Sequence, residues 1–153
     1  MSSVHPSLDL PAGQGTAARL AALPLFALAI FVSAFLLFSV QPLFTKMVLP
    51  VLGGTPAVWS VAMVFFQGVL LAGYGYAHLL NRLFDPRRAV LVHLAMMATV
   101  FVVALPIALA PGWGRPPAEG EAVWLIGLFA ASVGLPFFAI AGNGPLLQAW
   151  FAR

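Results

Sequence analysis

Four long apolar stretches, separated by short polar segments, constrain most strongly what this chain can fold into. A helix of about 20 residues, rising 1.5 Å per residue, crosses the ~30 Å hydrocarbon core of a bilayer. Only 7% of the 153 residues are charged, whereas a soluble domain typically carries about 25%. So few charges cannot cover the surface of a water-soluble domain of this size. The sequence therefore predicts an all-α integral membrane bundle.

The four transmembrane helices are predicted at about 17–40, 56–80, 89–110 and 123–141. Residues 1–16, rich in Pro, Gly and Ser, predict a flexible cytoplasmic tail, and residues 17–153 a single transmembrane domain. Thr55 followed by Pro56 is typical of a helix N-cap with proline in the first turn.

Prolines and glycines predict where the helices end or bend. Gln41-Pro42 is expected to end or bend helix one, and Pro136 to interrupt helix four. The sequence Gly-Asn-Gly-Pro at 142–145 predicts a break, followed by a short C-terminal interfacial helix.

Basic residues predict the orientation, because cytoplasmic loops carry the excess of Lys and Arg. With four crossings, Lys46 and Arg115 fall on one side, and five arginines fall on the other: Arg19, Arg82, Arg87, Arg88 and Arg153. The second side is therefore predicted to be cytoplasmic, with both termini, in the cell inner (plasma) membrane. Tryptophans at 59, 113 and 124 would lie at the outer interface, and Trp150 near the cytoplasmic side.

Polar residues within apolar helices are candidates for function, since lipid cannot satisfy them. Gln67, Tyr74 and His78 follow each other at spacings of seven and four, on one stripe of helix two that Trp59 extends. Such a stripe favours either a ligand path or hydrogen bonds between helices. The full set of candidates is Gln41, Lys46, Trp59, Gln67, Tyr74, His78, Asn143 and Gln148.

Two of these candidates have alternatives of their own. Lys46, the only lysine, either lines a cavity for an anionic or carbonyl-bearing ligand or extends to the interface along its aliphatic stem. Asn143 and Gln148 follow Pro136, so they belong either to a broken-helix substrate site or to a plain helix end.

Small residues at four-residue spacing predict the faces on which the helices pack closely. Such pairs occur on helices two and four: Gly68 with Ala72, Gly73 with Ala77, and Ala130 with Gly134.

The sequence predicts no catalysis, cofactor or metal site in this chain. It has no cysteine, all four acidic residues lie in the tail or loops, and it contains neither a glycine-rich phosphate loop nor a Ser-His-Asp set. A haem held by His78 and His93 is the alternative, disfavoured because neither has a second ligand pair nearby. Nucleic-acid binding is not predicted, because the sequence contains no basic patch interleaved with aromatic residues.

Beyond these patterns, residues 33–80 resemble the start of the membrane-embedded spermidine synthase-like family, in which a major-facilitator-like membrane part precedes an aminopropyltransferase-like domain. The residues that carry the resemblance are Gln41, Pro42, Lys46, Pro50, Gly53, Gly54, Pro56, Ala57, Val58, Trp59, Phe66, Gln67, Gly73, Tyr74, Tyr76 and His78. Residues 134–152 are similar to that family's next strong segment. The family's nucleotide-type domain has no counterpart in these residues, so aminopropyl transfer is not expected of them.

The leading hypothesis is a small membrane subunit or module that scaffolds a partner membrane protein or anchors a synthase-like partner. One alternative is part of a small-molecule transporter, for polyamines or other substrates, with a polar path through helices one and two. Another is the N-terminal fragment of a longer spermidine synthase-like membrane protein. A homo-oligomer is an alternative to a partner of another kind.

Overall fold

The computed structural model describes residues 12–152, with side chains from residue 22 onward. Its helices are α1 (Ala12–Leu52), α2 (Pro56–Leu83), α3 (Pro86–Ala104), α4 (Glu121–Phe129) and α5 (Leu135–Phe151). A π turn, Ala130–Gly134, joins α4 to α5, so that Glu121–Phe151 is one continuous span. The described part of the chain thus has four helical spans long and apolar enough to cross a membrane, and no strand. The predicted all-α bundle is confirmed.

Helix α1 begins and ends beyond the predicted limits. Residues 1–11 of the predicted tail lie outside the described residues, and α1 begins at Ala12. It continues through Pro42 and Pro50 to Leu52, so Gln41-Pro42 does not end it. A proline removes one backbone hydrogen bond, and helices in apolar surroundings tolerate this loss because breaking the helix would free many more backbone groups.

Helix α3 is shorter than predicted, since it ends at Ala104 rather than near residue 110. Pro106 explains the difference, because a proline disfavours the helical conformation of the residue before it. Leu105 accordingly has extended backbone angles, with φ −108° and ψ 144°. The chain then runs without helix from Leu105 to Gly120.

The predicted break at residues 142–145 and the separate interfacial helix are both wrong, because α5 continues through Pro145 to Phe151. The interruption expected at Pro136 is the π turn just before it. A wider turn fits here, since Pro136 has no N–H to donate and its ring would crowd the carbonyl four residues earlier. Within the π turn, the buried Ser132 hydroxyl accepts a hydrogen bond from the backbone N–H of Ala110 at 2.8 Å.

The connection between α1 and α2 follows the sequence prediction. Gly53 has a positive φ of 76° just after α1. The Thr55 side chain then accepts a hydrogen bond from the Val58 N–H at 3.4 Å, and Pro56 occupies the first turn of α2. The turn thus satisfies backbone groups that a helix end would leave without partners.

The main core is aromatic and lies toward the end of the bundle where α2 and α4 begin. Phe129 is fully buried at its centre, with ring centroids 5.4–5.6 Å from those of Phe44, Phe65 and Phe66. At the same end the Trp124 indole donates to the Trp113 carbonyl at 3.1 Å. These tilted and edge-on ring contacts join α1, α2 and α4.

Helix α5 is the central element, packing against α1, α2 and α3. The buried share of residues differs between the spans over the most apolar 18-residue window of each. It is 44% in the span Glu121–Phe151 and only 6% in α1. The closest approach joins α5 to α2, where Gly73 lies directly against Ala141. Glycine at position 73 allows this approach, because any side chain there would overlap with the backbone of α5.

We predict that Gly73→Ala lowers the free energy of unfolding by roughly 1–3 kcal/mol, because overpacking displaces a close helix contact. An added Cβ would lie 2.6 Å from the Ala141 Cβ and 3.1 Å from backbone atoms of α5. Gly75→Ala is the matched control on the same helix, since no described atom outside α2 lies within 4 Å of its added Cβ. Reversible denaturation in mixed micelles measures the free energy of unfolding of both variants. Equal effects of the two substitutions would contradict the predicted contact.

Candidate functional site

A chain of four polar side chains crosses the bundle where all four spans meet. The Tyr76 hydroxyl of α2 lies 3.5 Å from Nδ1 of His93 on α3, and His93 Nε2 lies 3.4 Å from Oδ1 of Asn143 on α5. Asn143 Nδ2 donates to Ser33 Oγ of α1 at 2.5 Å, and Ser33 donates to the Ala29 carbonyl at 2.8 Å. We call Tyr76, His93, Asn143 and Ser33 the polar chain.

The polar chain has a consistent direction of hydrogen bonding. Because the Asn143 amide nitrogen donates to Ser33, its oxygen faces His93 as an acceptor. His93 Nε2 must therefore carry the proton, which leaves Nδ1 to accept from the Tyr76 hydroxyl. A neutral imidazole meets both requirements. The arrangement suits a medium without water, where an unpaired polar group is strongly unfavourable.

The rings of the polar chain are tightly packed, and a glycine on α5 makes this possible for Tyr76. An alanine Cβ at Gly142 would lie 3.0 Å from the Tyr76 ring, so the tyrosine packs directly on the α5 backbone. The Trp150 ring meets the His93 ring edge-on, with centroids 6.1 Å apart. His93 is consequently only 2% exposed.

The structure places most of the predicted polar residues on the outside of the bundle. Gln67 and His78 are exposed, Tyr74 is 47% exposed and Trp59 is 36% exposed, all on α2. Lys46 and Gln148 are also exposed, and Gln41 is half-buried. Asn143 alone among the candidates belongs to the polar chain. Tyr74 and Gln148, from different helices, line one crevice together with Ser33.

The predicted packing residues divide between the inside and the outside of the bundle. Gly73 and Ala77 are buried, and Gly134 is half-buried beside the Phe65 ring. Gly68, Ala72 and Ala130 are exposed. Two of these exposed residues, Gly68 and Ala72, lie on the outer half of α2.

Sequence reasoning missed Ser33 and Tyr76 as members of a site. A signal for Tyr76 exists, since Gly73, Tyr76, Ala77 and Leu80 recur at helical spacing and share the face that packs on α5. Ser33 carries no comparable signal, because its partner Asn143 is 110 residues away in the chain.

The two histidines named as alternative haem ligands, His78 and His93, have different surroundings. His93 is buried with both ring nitrogens directed at Tyr76 and Asn143, whereas His78 is exposed on another helix. Across the described residues, no three His, Cys, Asp or Glu side chains lie together as a metal site would require.

The chain matches no protein-family model, no curated protein and no solved structure. The geometry of the bundle therefore carries the functional argument.

We predict that Asn143→Ala lowers the free energy of unfolding by about 1–3 kcal/mol, because it leaves the buried His93 N–H without an acceptor. Ser33→Ala should lower the free energy of unfolding by a smaller amount. A double-mutant cycle of Asn143→Ala and Ser33→Ala should show a coupling energy of roughly 0.6–1.7 kcal/mol. Ser60→Ala is the control, since this exposed hydroxyl bonds only the Pro56 carbonyl of its own helix. A coupling near zero would mean that the Asn143–Ser33 bond does not form in the membrane.

Proposed function

We propose that this chain is a membrane module that scaffolds a second membrane protein, with the outer face of α2 as the contact surface. The observation that carries the proposal is the exposure of a polar stripe, which we define as Gln67, Tyr74 and His78. Each member of the polar chain has a hydrogen-bond partner inside the bundle. The described residues provide no such partner for the side chains of the polar stripe.

Gln67 is the decisive member of the polar stripe because of its depth. Helix α2 has 28 residues, Pro56–Leu83, which places Gln67 about 4 Å along the axis from the helix midpoint at 1.5 Å per residue. No hydrogen-bond partner of its side chain occurs among the described residues. An amide moved into hydrocarbon without a partner costs roughly 2–7 kcal/mol, so a neighbouring protein group is the favoured environment.

The residues beside Gln67 are those that a close helix–helix contact uses. Gly68, Ala72 and Gly75 are exposed and form a row of their own on the outer half of α2, next to the row that contains Gln67. Apart from α2 itself, no described atom lies within 4 Å of a Cβ added at either glycine. Membrane helices associate through small residues that let backbones approach and through polar side chains that bond across the contact. The outer face of α2 offers both, so the proposed partner contributes a membrane-spanning helix.

The resemblance of residues 33–80 to the membrane part of spermidine synthase-like proteins suggests the kind of partner. A synthase-like protein would supply the chemistry, and this chain would supply its membrane attachment without catalysis or cofactor of its own. We place the chain in the inner (plasma) membrane, with Arg82, Arg87 and Arg88 on the cytoplasmic side, as the distribution of basic residues favours.

Transport is the second candidate, and one observation favours it. Tyr74 and Gln148 of the predicted polar path line the same crevice. The acidic residues, however, lie outside the predicted spans, at positions 9, 85, 119 and 121. A polycation such as a polyamine would therefore meet no carboxylate at membrane depth, which makes this substrate class the less favoured one.

We predict that Gln67→Leu weakens partner binding roughly 3- to 20-fold, as loss of one interhelical hydrogen bond would. Native mass spectrometry of the untagged protein, extracted gently from its own membranes, measures the partner-bound fraction. Thr99→Val is the matched control, because this exposed hydroxyl of α3 bonds only the Ala95 carbonyl. A monomer without a partner, or binding unchanged by Gln67→Leu, would refute the scaffolding proposal. A pure homo-oligomer would replace it with self-association.

The proposed orientation has a separate test, which the absence of native cysteine makes simple. We predict that Pro117→Cys reacts with a membrane-impermeant maleimide added to intact cells, whereas Phe84→Cys reacts only after the membrane is permeabilised. Both residues are exposed in loops at opposite ends of the bundle. The reverse labelling pattern would show that the orientation is opposite to the one proposed.

A further inference from the structure

A crevice of about 260 Å³ lies between α1, α2 and α5. Each of these helices contributes one polar side chain to it, namely Ser33, Tyr74 and Gln148, and the rest of the lining is apolar or glycine. Tyr74 also belongs to the polar stripe, so the crevice borders the proposed partner surface, whereas Gln67 does not line it.

The hydrogen-bonding state of the three polar groups differs. Ser33 already donates to Ala29 and accepts from Asn143. The Tyr74 hydroxyl and the Gln148 amide have no hydrogen-bond partner within the described part of the chain. Both can donate and accept. A lipid acyl chain in the crevice would satisfy neither, so the favoured occupant carries polar atoms.

The charge and the size of the crevice define the class of occupant. None of the described lining residues is charged, and an ion without a counter-charge is strongly unfavourable at membrane depth. A water molecule takes up about 30 Å³ of liquid, so the crevice is too large for one or two waters and fits a compact organic group. We propose that it binds the head group of an uncharged lipid that carries hydroxyl or carbonyl groups.

A second crevice supplies an internal comparison. It measures about 400 Å³ and lies between α1, α3 and α5, on the other side of the Ser33–Asn143 contact. Ser33 and Asn143 are its polar lining residues, and they bond each other. Among the residues that the structure describes, this second crevice offers no free hydrogen-bonding side chain, so hydrocarbon fills it equally well.

The test uses two photoactivatable probes of equal chain length in phosphatidylcholine nanodiscs. One is a monoacylglycerol with a diazirine next to its glycerol group, and the other is an alkane with a terminal diazirine. Peptide mass spectrometry locates the labels. The monoacylglycerol should label the lining of the first crevice roughly tenfold more than the alkane, as one or two hydrogen bonds predict. At the lining residues that belong only to the second crevice, such as Met97, the two probes should label equally.

Variants connect the labelling to the side chains. Tyr74→Phe combined with Gln148→Leu should abolish the preference for the glycerol probe, while Thr99→Val should keep it. Gln67→Leu should also keep it, because Gln67 belongs to the proposed partner surface but does not line the crevice. This variant therefore separates a failure of the lipid site from a failure of the scaffolding proposal. Equal labelling by both probes, or an unchanged preference in the double variant, would overturn the proposal. Crosslinking in native membranes that joins the crevice to a protein segment would overturn it too, since a partner would then be the occupant.

Discussion

The hydrocarbon core of a membrane contains no water, and this constraint accounts for the polar chain inside the bundle. Inside, Tyr76, His93, Asn143 and Ser33 satisfy one another in a single directed series that reaches all four spans. Outside, Gln67 lies exposed near the middle of α2, with no side-chain partner in the described part of the chain. The same physical rule thus explains the polar chain and motivates the proposal that a neighbouring protein covers the outer face of α2.

Small residues determine how closely the helices approach, and they do so on two faces of α2. The inner face places Gly73 against Ala141 and lets Tyr76 rest on Gly142. The outer face repeats the pattern with Gly68 and Ala72, where the described residues leave the space open. A helix with two such faces is suited to lie between neighbours, whereas α1, of which little is buried, is suited to face lipid.

The sequence predicted the features that depend on local pattern. The lengths of the apolar stretches predicted the four spans, and the Thr55-Pro56 pair predicted where α2 begins. The errors arose where tertiary contact outweighs local preference, as at Gly142, where the glycine packs on Tyr76 and the helix continues. Asn143 was among the predicted candidates, but its partners could not be derived, because the members of the polar chain are separated by 17, 50 and 110 residues and no local periodicity relates one helix to another.

The π turn between α4 and α5 sets the rotational phase of the central helix. One additional residue in a helical turn rotates everything after it by about 100°, since an α-helix has 3.6 residues per turn. Asn143 and Leu146 therefore face the interior because Ala130–Gly134 precedes them. The length of this short segment is as important as its composition: a chain one residue shorter there would present a different side of α5 to all three neighbouring helices.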